Sequence, residues 1–143
     1  MKPTRSPFIA FLPAASLMAL IFYLSSLPSL DLPETWFDKY LDKVLHTGAY
    51  GALTFFLLYG FLTSTRMSAK GAYILSAMMA VLYGFTDEFH QSFTPGRHTS
   101  IGDLIANATG AGLCILIYTQ LTRFKAFCWL NLRPDTTPGE TPS

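Results

Sequence analysis

The run FIAFLPAASLMALIFYLSSL, residues 8–27, decides the fold because it contains no charged residue. A helix that crosses the hydrocarbon core of a bilayer needs about 20 mostly apolar residues. Pro13 lies inside the run, and membrane helices tolerate proline. A cleaved signal peptide is the alternative, since Lys2 and Arg5 precede the run. However, the apolar core is longer than the roughly 7–15 residues of a signal peptide, and no small-x-small cleavage site follows. We therefore predict a retained first membrane span.

The composition of the whole chain supports a membrane protein. Of its 143 residues, 50% are hydrophobic and 13% are charged, whereas a soluble globular domain has about 25% charged residues. The net charge is +1 and no basic face stands out, so we predict no nucleic-acid partner. Cys114 lies within an apolar run and Cys128 lies beyond it, so we expect no disulfide between them. The predicted partner of the chain is the lipid bilayer.

Three further runs have the length and apolar content of membrane helices, at about residues 44–63, 71–91 and 101–121. The second of these runs gathers acidic residues only at its end. Pro95-Gly96 then indicates a turn before the last run. The predicted fold is therefore all-α: a polytopic membrane protein with a four-transmembrane-helix bundle.

Short segments beside the spans are predicted to lie at the membrane interface. Residues 28–42 carry aromatic residues at helical spacing, which fits an amphipathic turn at the interface; a loop without regular structure is an equal alternative. Aromatic and basic residues also interleave after the fourth span. From residue 134 onward the chain is rich in Pro and Thr and lacks apolar residues. We therefore expect a membrane domain over residues 1–130 and a disordered cytoplasmic tail over residues 131–143.

The basic residues predict an orientation, because basic residues that flank membrane spans stay in the cytoplasm. With four spans, both termini lie on the same side of the membrane. Seven basic residues lie on that side: Lys2, Arg5, Arg66, Lys70, Arg123, Lys125 and Arg133. The three on the other side are Lys39, Lys43 and Arg97. Both termini are therefore predicted to be cytoplasmic, and the loops at 28–42 and 92–100 to face outward.

Polar residues concentrate in the stretch YGFTDEFHQSFTPGRHTSIGDLIAN, residues 83–107. Ionisable groups beside apolar spans are costly and usually mark a function or a paired network. Residues three or four apart share a helix face, and this spacing gives three polar stripes. The stripes are Lys43, His46, Tyr50 and Thr54; Tyr83, Asp87, His90 and Gln91; and Asp103, Asn107, Gly110 and Cys114. All three carry their polar members at the outward end, which predicts an outward-facing polar pocket.

Two kinds of chemistry fit the pocket. In the first, Lys43 and Arg97 hold a phosphate, because arginine suits bidentate contact with it. Asp87 and His90 are then the predicted acid–base catalysts, with His46 as the alternative base. The remaining predicted binding residues are His46, Tyr50, Glu88, Gln91, Asp103 and Asn107.

In the second, the histidines and carboxylates bind a divalent metal, since this donor set suits zinc or manganese. Neither HExxH nor CxxC occurs, so no metal or other cofactor is predicted.

A purely structural network is the alternative to a functional pocket. Asp103 follows Ser100 at capping-box spacing, so its carboxylate could serve only to cap the fourth helix. Arg97 could form an ion pair that fixes the turn between the last two spans. Its candidate partners are Asp87, Glu88 and Asp103.

The spacing of these residues resembles the VanZ-like family of small bacterial membrane proteins, named for an accessory protein of teicoplanin resistance. The motifs that match are Ser25-Ser26-x-Pro28, Asp42-Lys43-x-x-His46-x-x-x-Tyr50, Tyr83-Gly84-x-x-Asp87-Glu88-x-x-Gln91 and Pro95-Gly96-Arg97-x-x-Ser100-x-x-Asp103-x-x-x-Asn107-x-x-Gly110. The resemblance covers residues 20 to 118. It implies a polytopic helical protein of the bacterial cytoplasmic membrane, with a link to glycopeptide resistance in some members, and it assigns no catalytic mechanism.

These observations predict an envelope protein that binds or modifies a cell-surface molecule. A lipid-linked molecule that bears phosphate fits best, because the pocket holds cations and carboxylates near the membrane surface. Whether the chain is an enzyme stays open at this point. The alternative is a non-catalytic structural, shielding or small transport component in which the polar cluster clamps helix ends.

Overall fold

The computed structural model describes residues 6–28, 35–97 and 100–131, and it leaves out the side chains of residues 36–39 and 126–131. Within these ranges the chain forms four α-helices and no strand. The helices are α1 (Pro7–Ser25), α2 (Trp36–Ser64), α3 (Ala69–Gln91) and α4 (Ile101–Asn131). The predicted all-α class is confirmed.

Three of these helices are long and apolar enough to cross a membrane. The spans are Pro7–Ser25, Tyr40–Ser64 and Ile101–Lys125. By the same measure of length and composition, α3 is not among the candidates found in the described residues. Asp87 and Glu88 lower the apolar content of its last turns. The chain is thus a helical membrane protein with three candidate spans, and a fourth crossing by α3 stays a prediction.

Two helices run further than the apolar runs predicted. α2 begins at Trp36 rather than near residue 44, and α4 continues to Asn131 rather than ending near residue 121. Neither extension contains proline or glycine, the residues that most strongly interrupt a helix. The predicted interfacial segments at these places are therefore continuous with the helices. The tail from residue 132 onward and most of the loop before α2 lie outside the described residues.

The four helices pack as a bundle in which α2 and α4 share the most extensive interface. α1 packs against α2 and α3, and α4 packs against the same two helices. Small residues bring α2 and α4 close together: a Cβ added at Gly51 would lie 3.2 Å from the carbonyl oxygen of Gly110. Close backbone approach at small residues is typical of membrane helices. The buried apolar residues are Ala10, Ala14, Ile21, Tyr50, Leu53, Leu57, Leu58, Ala72, Ala80, Ala106 and Ala111.

The helices alternate in direction, and the two ends of the bundle differ in chemistry. At one end the rings of Phe11 and Phe61 meet edge to face, with centroids 4.9 Å apart. At the other, the end of α1, the start of α2, the end of α3 and the start of α4 converge; we call this the polar end. Its buried polar residues are Ser25, Asp87, Glu88, Gln91, Asp103 and Asn107. The fold therefore gathers most of the polar residues of the predicted stripes in one place.

Candidate functional site

Asp87 is the least exposed of the described acids at the polar end, with 4% of its surface exposed. Its Oδ2 accepts hydrogen bonds from the Tyr50 hydroxyl at 3.1 Å and from Gln91 Nε2 at 3.1 Å. Its Oδ1 is buried without a hydrogen-bond partner among the described residues. Leaving a buried acceptor unpaired costs roughly 1–3 kcal/mol. A donor supplied by a ligand or by water is therefore favoured at Oδ1.

Lys43 connects α2 to α4 through two carboxylates. Its Nζ forms an ion pair with Asp103 and donates to Asp42 Oδ2 at 3.1 Å. Asp103 is buried in the first turn of α4, whereas Lys43 and Asp42 are partly exposed. Lys43 was predicted to bind phosphate. In the structure its ammonium group is already paired with these two acids.

His46 is held in place by α4. Its Nδ1 lies 3.0 Å from Oδ1 of Asn107. An amide oxygen can only accept, so Nδ1 donates in this contact. The other ring nitrogen, Nε2, lies 3.7 Å from Oδ1 of Asp42. The imidazole therefore lies between the amide of Asn107 and the carboxylate of Asp42.

Glu88 reaches from α3 to the start of α4. Its Oε2 accepts a hydrogen bond from the backbone N–H of Ser100 at 3.4 Å, and Ser100 Oγ accepts one from Gly102 N at 3.0 Å. Ser100 and Glu88 thus satisfy backbone donors at this helix end. In the structural alternative, Asp103 was expected to cap the fourth helix. Ser100 and Glu88 fill that role, and the Asp103 side chain binds Lys43 instead.

The side chain of His90 faces α1 and not Asp87, the other predicted catalytic residue. Its Nε2 lies 3.0 Å from the hydroxyl oxygen of Ser26. Its ring stacks on Phe22, with centroids 4.4 Å apart and planes 28° from parallel. His90 and Gln91 are neighbours in α3, so their side chains leave the helix about 100° apart around its axis. Gln91 points toward Asp87. The two neighbours consequently point to different helices.

Arg97 also contacts α1. It donates from Nη2 to the carbonyl of Leu24 at 3.1 Å and from Nε to that of Leu27 at 3.4 Å. Carbonyls at a helix C-terminus have no partner within the helix, and a positive charge is favourable there. The structure shows no ion pair between Arg97 and the described acids Asp87, Glu88 and Asp103.

A cavity of about 180 Å³ opens between α1, α2 and the end of α3. Its polar lining residues are Ser25, Asp42, His46, Tyr50, Asp87, Gln91 and Arg97. Its apolar lining residues are Ile21, Leu24, Leu45 and Ala49. Five predicted site residues therefore line the cavity. The other five lie around it or on its α1 side: Lys43, Glu88, His90, Asp103 and Asn107.

Asp42 is a site residue that the sequence analysis did not select. It lies one helical turn before His46 and contacts both Lys43 and His46. The apolar run predicted that α2 starts near residue 44, which left Asp42 in a loop. A helix that starts earlier would have placed Asp42 and His46 on one face by their spacing of four.

Fold and site together define a class of protein: a helical membrane protein in which acids, amides and a histidine meet at one end of a bundle. The chain matches the family model VanZ/LLP1 over residues 7–124. This match spans most of the chain and all the motifs above, so the chain belongs to the VanZ/LLP1 family. No curated protein and no solved structure matches it.

Proposed function

We propose that this chain is a bacterial envelope protein whose cavity binds, and acts on or presents, an amphiphilic, lipid-linked molecule that bears phosphate. The observation that carries the proposal is the two-sided lining of the cavity. Ile21, Leu24 and Leu45 supply an apolar side, while Asp87 and Arg97 supply polar groups. A molecule with a hydrocarbon part and a polar headgroup is complementary to both sides.

The individual contacts suit a headgroup. Among the described residues that line the cavity, Arg97 is the one cation, and guanidinium groups bind phosphate well. Asp87 Oδ1 is an unpaired acceptor for a hydroxyl or amine of the same headgroup. The cavity of about 180 Å³ is smaller than the roughly 300–1,000 Å³ of a site that encloses a whole small molecule. In this proposal the headgroup enters the cavity and the hydrocarbon chain stays in the bilayer.

The proposal includes an orientation in which α3 is the fourth span. The chain then crosses the membrane four times, both termini are cytoplasmic, and the polar end faces outward. The support is the distribution of basic residues: the described Arg66, Lys70, Arg123 and Lys125 lie at the ends of helices away from the polar end. Basic residues beside spans favour the cytoplasm.

If the bound molecule is also modified, the acid–base groups must reach the cavity. Asp87 and His46 both line it, and Asn107 orients the His46 ring. His90, the predicted catalytic partner of Asp87, is instead engaged with Ser26 and Phe22. Of the two histidines considered as the base, His46 is therefore the better placed, because a general base must lie within hydrogen-bond reach of its substrate.

A second candidate is a structural clamp without a ligand. It is favoured by the contacts that attach α1 to the end of α3 and the turn after it. His90 contacts Ser26, and Arg97 donates to two carbonyls at the end of α1. In this alternative the polar residues serve to hold the helix ends together.

The variant Arg97→Gln distinguishes the lipid-binding cavity from the structural clamp when its binding of a lipid phosphate is measured. The full chain in detergent micelles is titrated with short-chain phosphatidic acid, and with the matching diacylglycerol, which lacks the phosphate. Losing a hydrogen bond to a charged group costs about 1.5–3 kcal/mol, so we expect roughly 10- to 100-fold weaker binding of the phosphatidic acid. The matched control is Arg123→Gln, an exposed position outside the polar end.

Each outcome has a defined meaning. Weaker binding by Arg97→Gln alone, with normal membrane levels, supports the proposal. Equal binding by both variants and the natural chain, or equal binding of the two lipids, overturns it. Loss of folded protein in Arg97→Gln, with binding unchanged per folded molecule, favours the clamp. The link to glycopeptide resistance is tested separately, as teicoplanin susceptibility of cells with and without the chain.

A further inference from the structure

Three groups with metal-binding atoms converge beside the cavity. Asp42 and His46 lie one turn apart on α2, and Asp103 lies in the first turn of α4. One ligand atom from each lies within 4.8 Å of the others. Zinc bonds to nitrogen and carboxylate oxygen are about 2.0–2.2 Å long, which places ligand atoms roughly 3–4 Å apart. Asp42 is partly exposed, so its side chain has room to move closer to the other two.

The hydrogen bonding of His46 has the form found at metal-binding histidines. Such histidines donate one ring N–H to an oxygen, which directs the other nitrogen at the metal. Here Nδ1 bonds to Asn107 Oδ1 at 3.0 Å, and Nε2 faces Asp42 Oδ1 at 3.7 Å. A metal ion between Nε2 and this carboxylate oxygen would be bound by both groups. The buried Asn107 thus positions His46 for an ion.

Glu88 contributes a second, unpaired carboxylate oxygen near these three residues. Its side chain is 5% exposed, and its Oε1 has no hydrogen-bond partner within the described part of the chain. The carboxylate interacts electrostatically with both Asp103 and His46, so Glu88 lies close enough to add negative charge to their surroundings. A buried carboxylate oxygen without a donor is stabilised by a positive ion.

The charges of the polar end point the same way. The described side chains supply four carboxylates there: Asp42, Asp87, Glu88 and Asp103. The described cations are Lys43 and Arg97, and Arg97 is directed to carbonyls of α1. The described carboxylates therefore outnumber the described cations at the polar end, and only Lys43 is paired with any of them.

We propose that Asp42, His46 and Asp103 form a binding site for a divalent transition-metal ion, with Lys43 as its internal competitor. In this structure the Lys43 ammonium binds the two carboxylates that would hold the ion. An entering ion displaces the ammonium group. Imidazole beside carboxylates favours Zn²⁺ or Mn²⁺ over Mg²⁺ or Ca²⁺. Asp42 and His46 also line the cavity proposed for the headgroup, but binding of the ion does not require the lipid ligand.

The test is a titration of the full chain in detergent micelles, without added lipid. Mn²⁺ binding is measured by loss of the free-ion signal in electron paramagnetic resonance, and Zn²⁺ binding by competition with a chromophoric chelator. The natural chain is expected to bind one ion. Asp103→Asn is expected to bind at least tenfold more weakly, and Lys43→Gln at least tenfold more tightly because its competing ammonium is gone. Lys70→Gln, which changes the same charge at the start of α3, is expected to bind as the natural chain does.

The response of Lys43→Gln distinguishes a metal site from an acidic cluster that is merely neutralised by lysine. Weaker or unchanged binding by this variant overturns the proposal, as does the absence of saturable binding by the natural chain. If Asp103→Asn does not fold, His46→Gln replaces it, and tenfold weaker binding is again required. A rise in the melting temperature of the natural chain with Mn²⁺ or Zn²⁺, absent in His46→Gln, gives the same answer without a binding signal.

Discussion

Replacing Gly110 by alanine tests how tightly α2 and α4 are packed. A Cβ at this position would overlap the carbonyl oxygen of Thr47, and it would lie 2.9 Å from the carbonyl carbon of Thr47 and 3.0 Å from the nitrogen of Gly51. Ordinary contacts begin at 3.4 Å. All three obstacles are backbone atoms of α2, so no side chain can turn away. The two helices must therefore move apart to relieve the overlap.

The expected cost follows from two opposing effects. Overpacking of this kind costs about 1–3 kcal/mol, and a rigid backbone obstacle belongs at the upper end of that range. Alanine is favoured over glycine in a helix by about 1 kcal/mol. The net loss in the free energy of unfolding is then about 2 kcal/mol. The separation also moves Thr47 and the adjoining His46 relative to Asn107 on α4.

Gly112→Ala is the matched control, because a Cβ there meets nothing within 4 Å. It lies on the same helix and gains the same preference for alanine, so the difference between the two variants isolates the overlap. That difference should be about 3 kcal/mol, combining the same two effects. Reversible unfolding in mixed micelles measures it. Equal stability of Gly110→Ala and Gly112→Ala would refute the reasoning.

Two further substitutions test the buried end and the core. Tyr50→Phe removes a donor to Asp87 and should lower the free energy of unfolding by about 1–3 kcal/mol, while Tyr40→Phe, an exposed tyrosine on α2, should change it little; equal effects in chemical unfolding would contradict this. Leu53→Ala empties a fully buried position and should cost about 2–5 kcal/mol. Leu113→Ala, 45% exposed, should cost clearly less in the same assay, and the reverse order would show that the core is misplaced.

Helical spacing predicted which faces of α2 and α4 meet at the site. Lys43 and His46 are three residues apart on α2, and Asp103 and Asn107 are four residues apart on α4. The structure pairs them in the same order, Lys43 with Asp103 and His46 with Asn107. Because residues three or four apart share a face, this part of the arrangement follows from the sequence alone.

The position of α1 could not be predicted from spacing. His90 and Gln91 belong to one predicted stripe, yet Gln91 bonds to Asp87 and His90 contacts α1. A difference of one residue turns a side chain by about 100°, and which direction is useful depends on where another helix packs. For the same reason the structural alternative paired Arg97 with an acid, whereas it donates to the carbonyl of Leu24 in α1 and to that of Leu27 just beyond it.

The helix boundaries were predicted from the ends of the apolar runs. These ends mark where a helix leaves the hydrocarbon core of the membrane and not where the helix itself ends. A backbone can remain helical after its side chains become polar, provided that no breaker intervenes. This difference moved the start of α2 and brought Asp42 into the site. An earlier start, inferred from the absence of proline and glycine, would have identified that residue.

The attachment of α1 has a consequence for the order of biosynthesis. α1 is completed first as the chain grows, but the donors to its terminal carbonyls come from Arg97, separated from Leu24 by 73 positions. His46 likewise waits for Asn107, 61 positions later. A ribosome has therefore made three of the four helices before these contacts can close. The contacts that hold the C-terminal end of α1 therefore form later than its packing against α2.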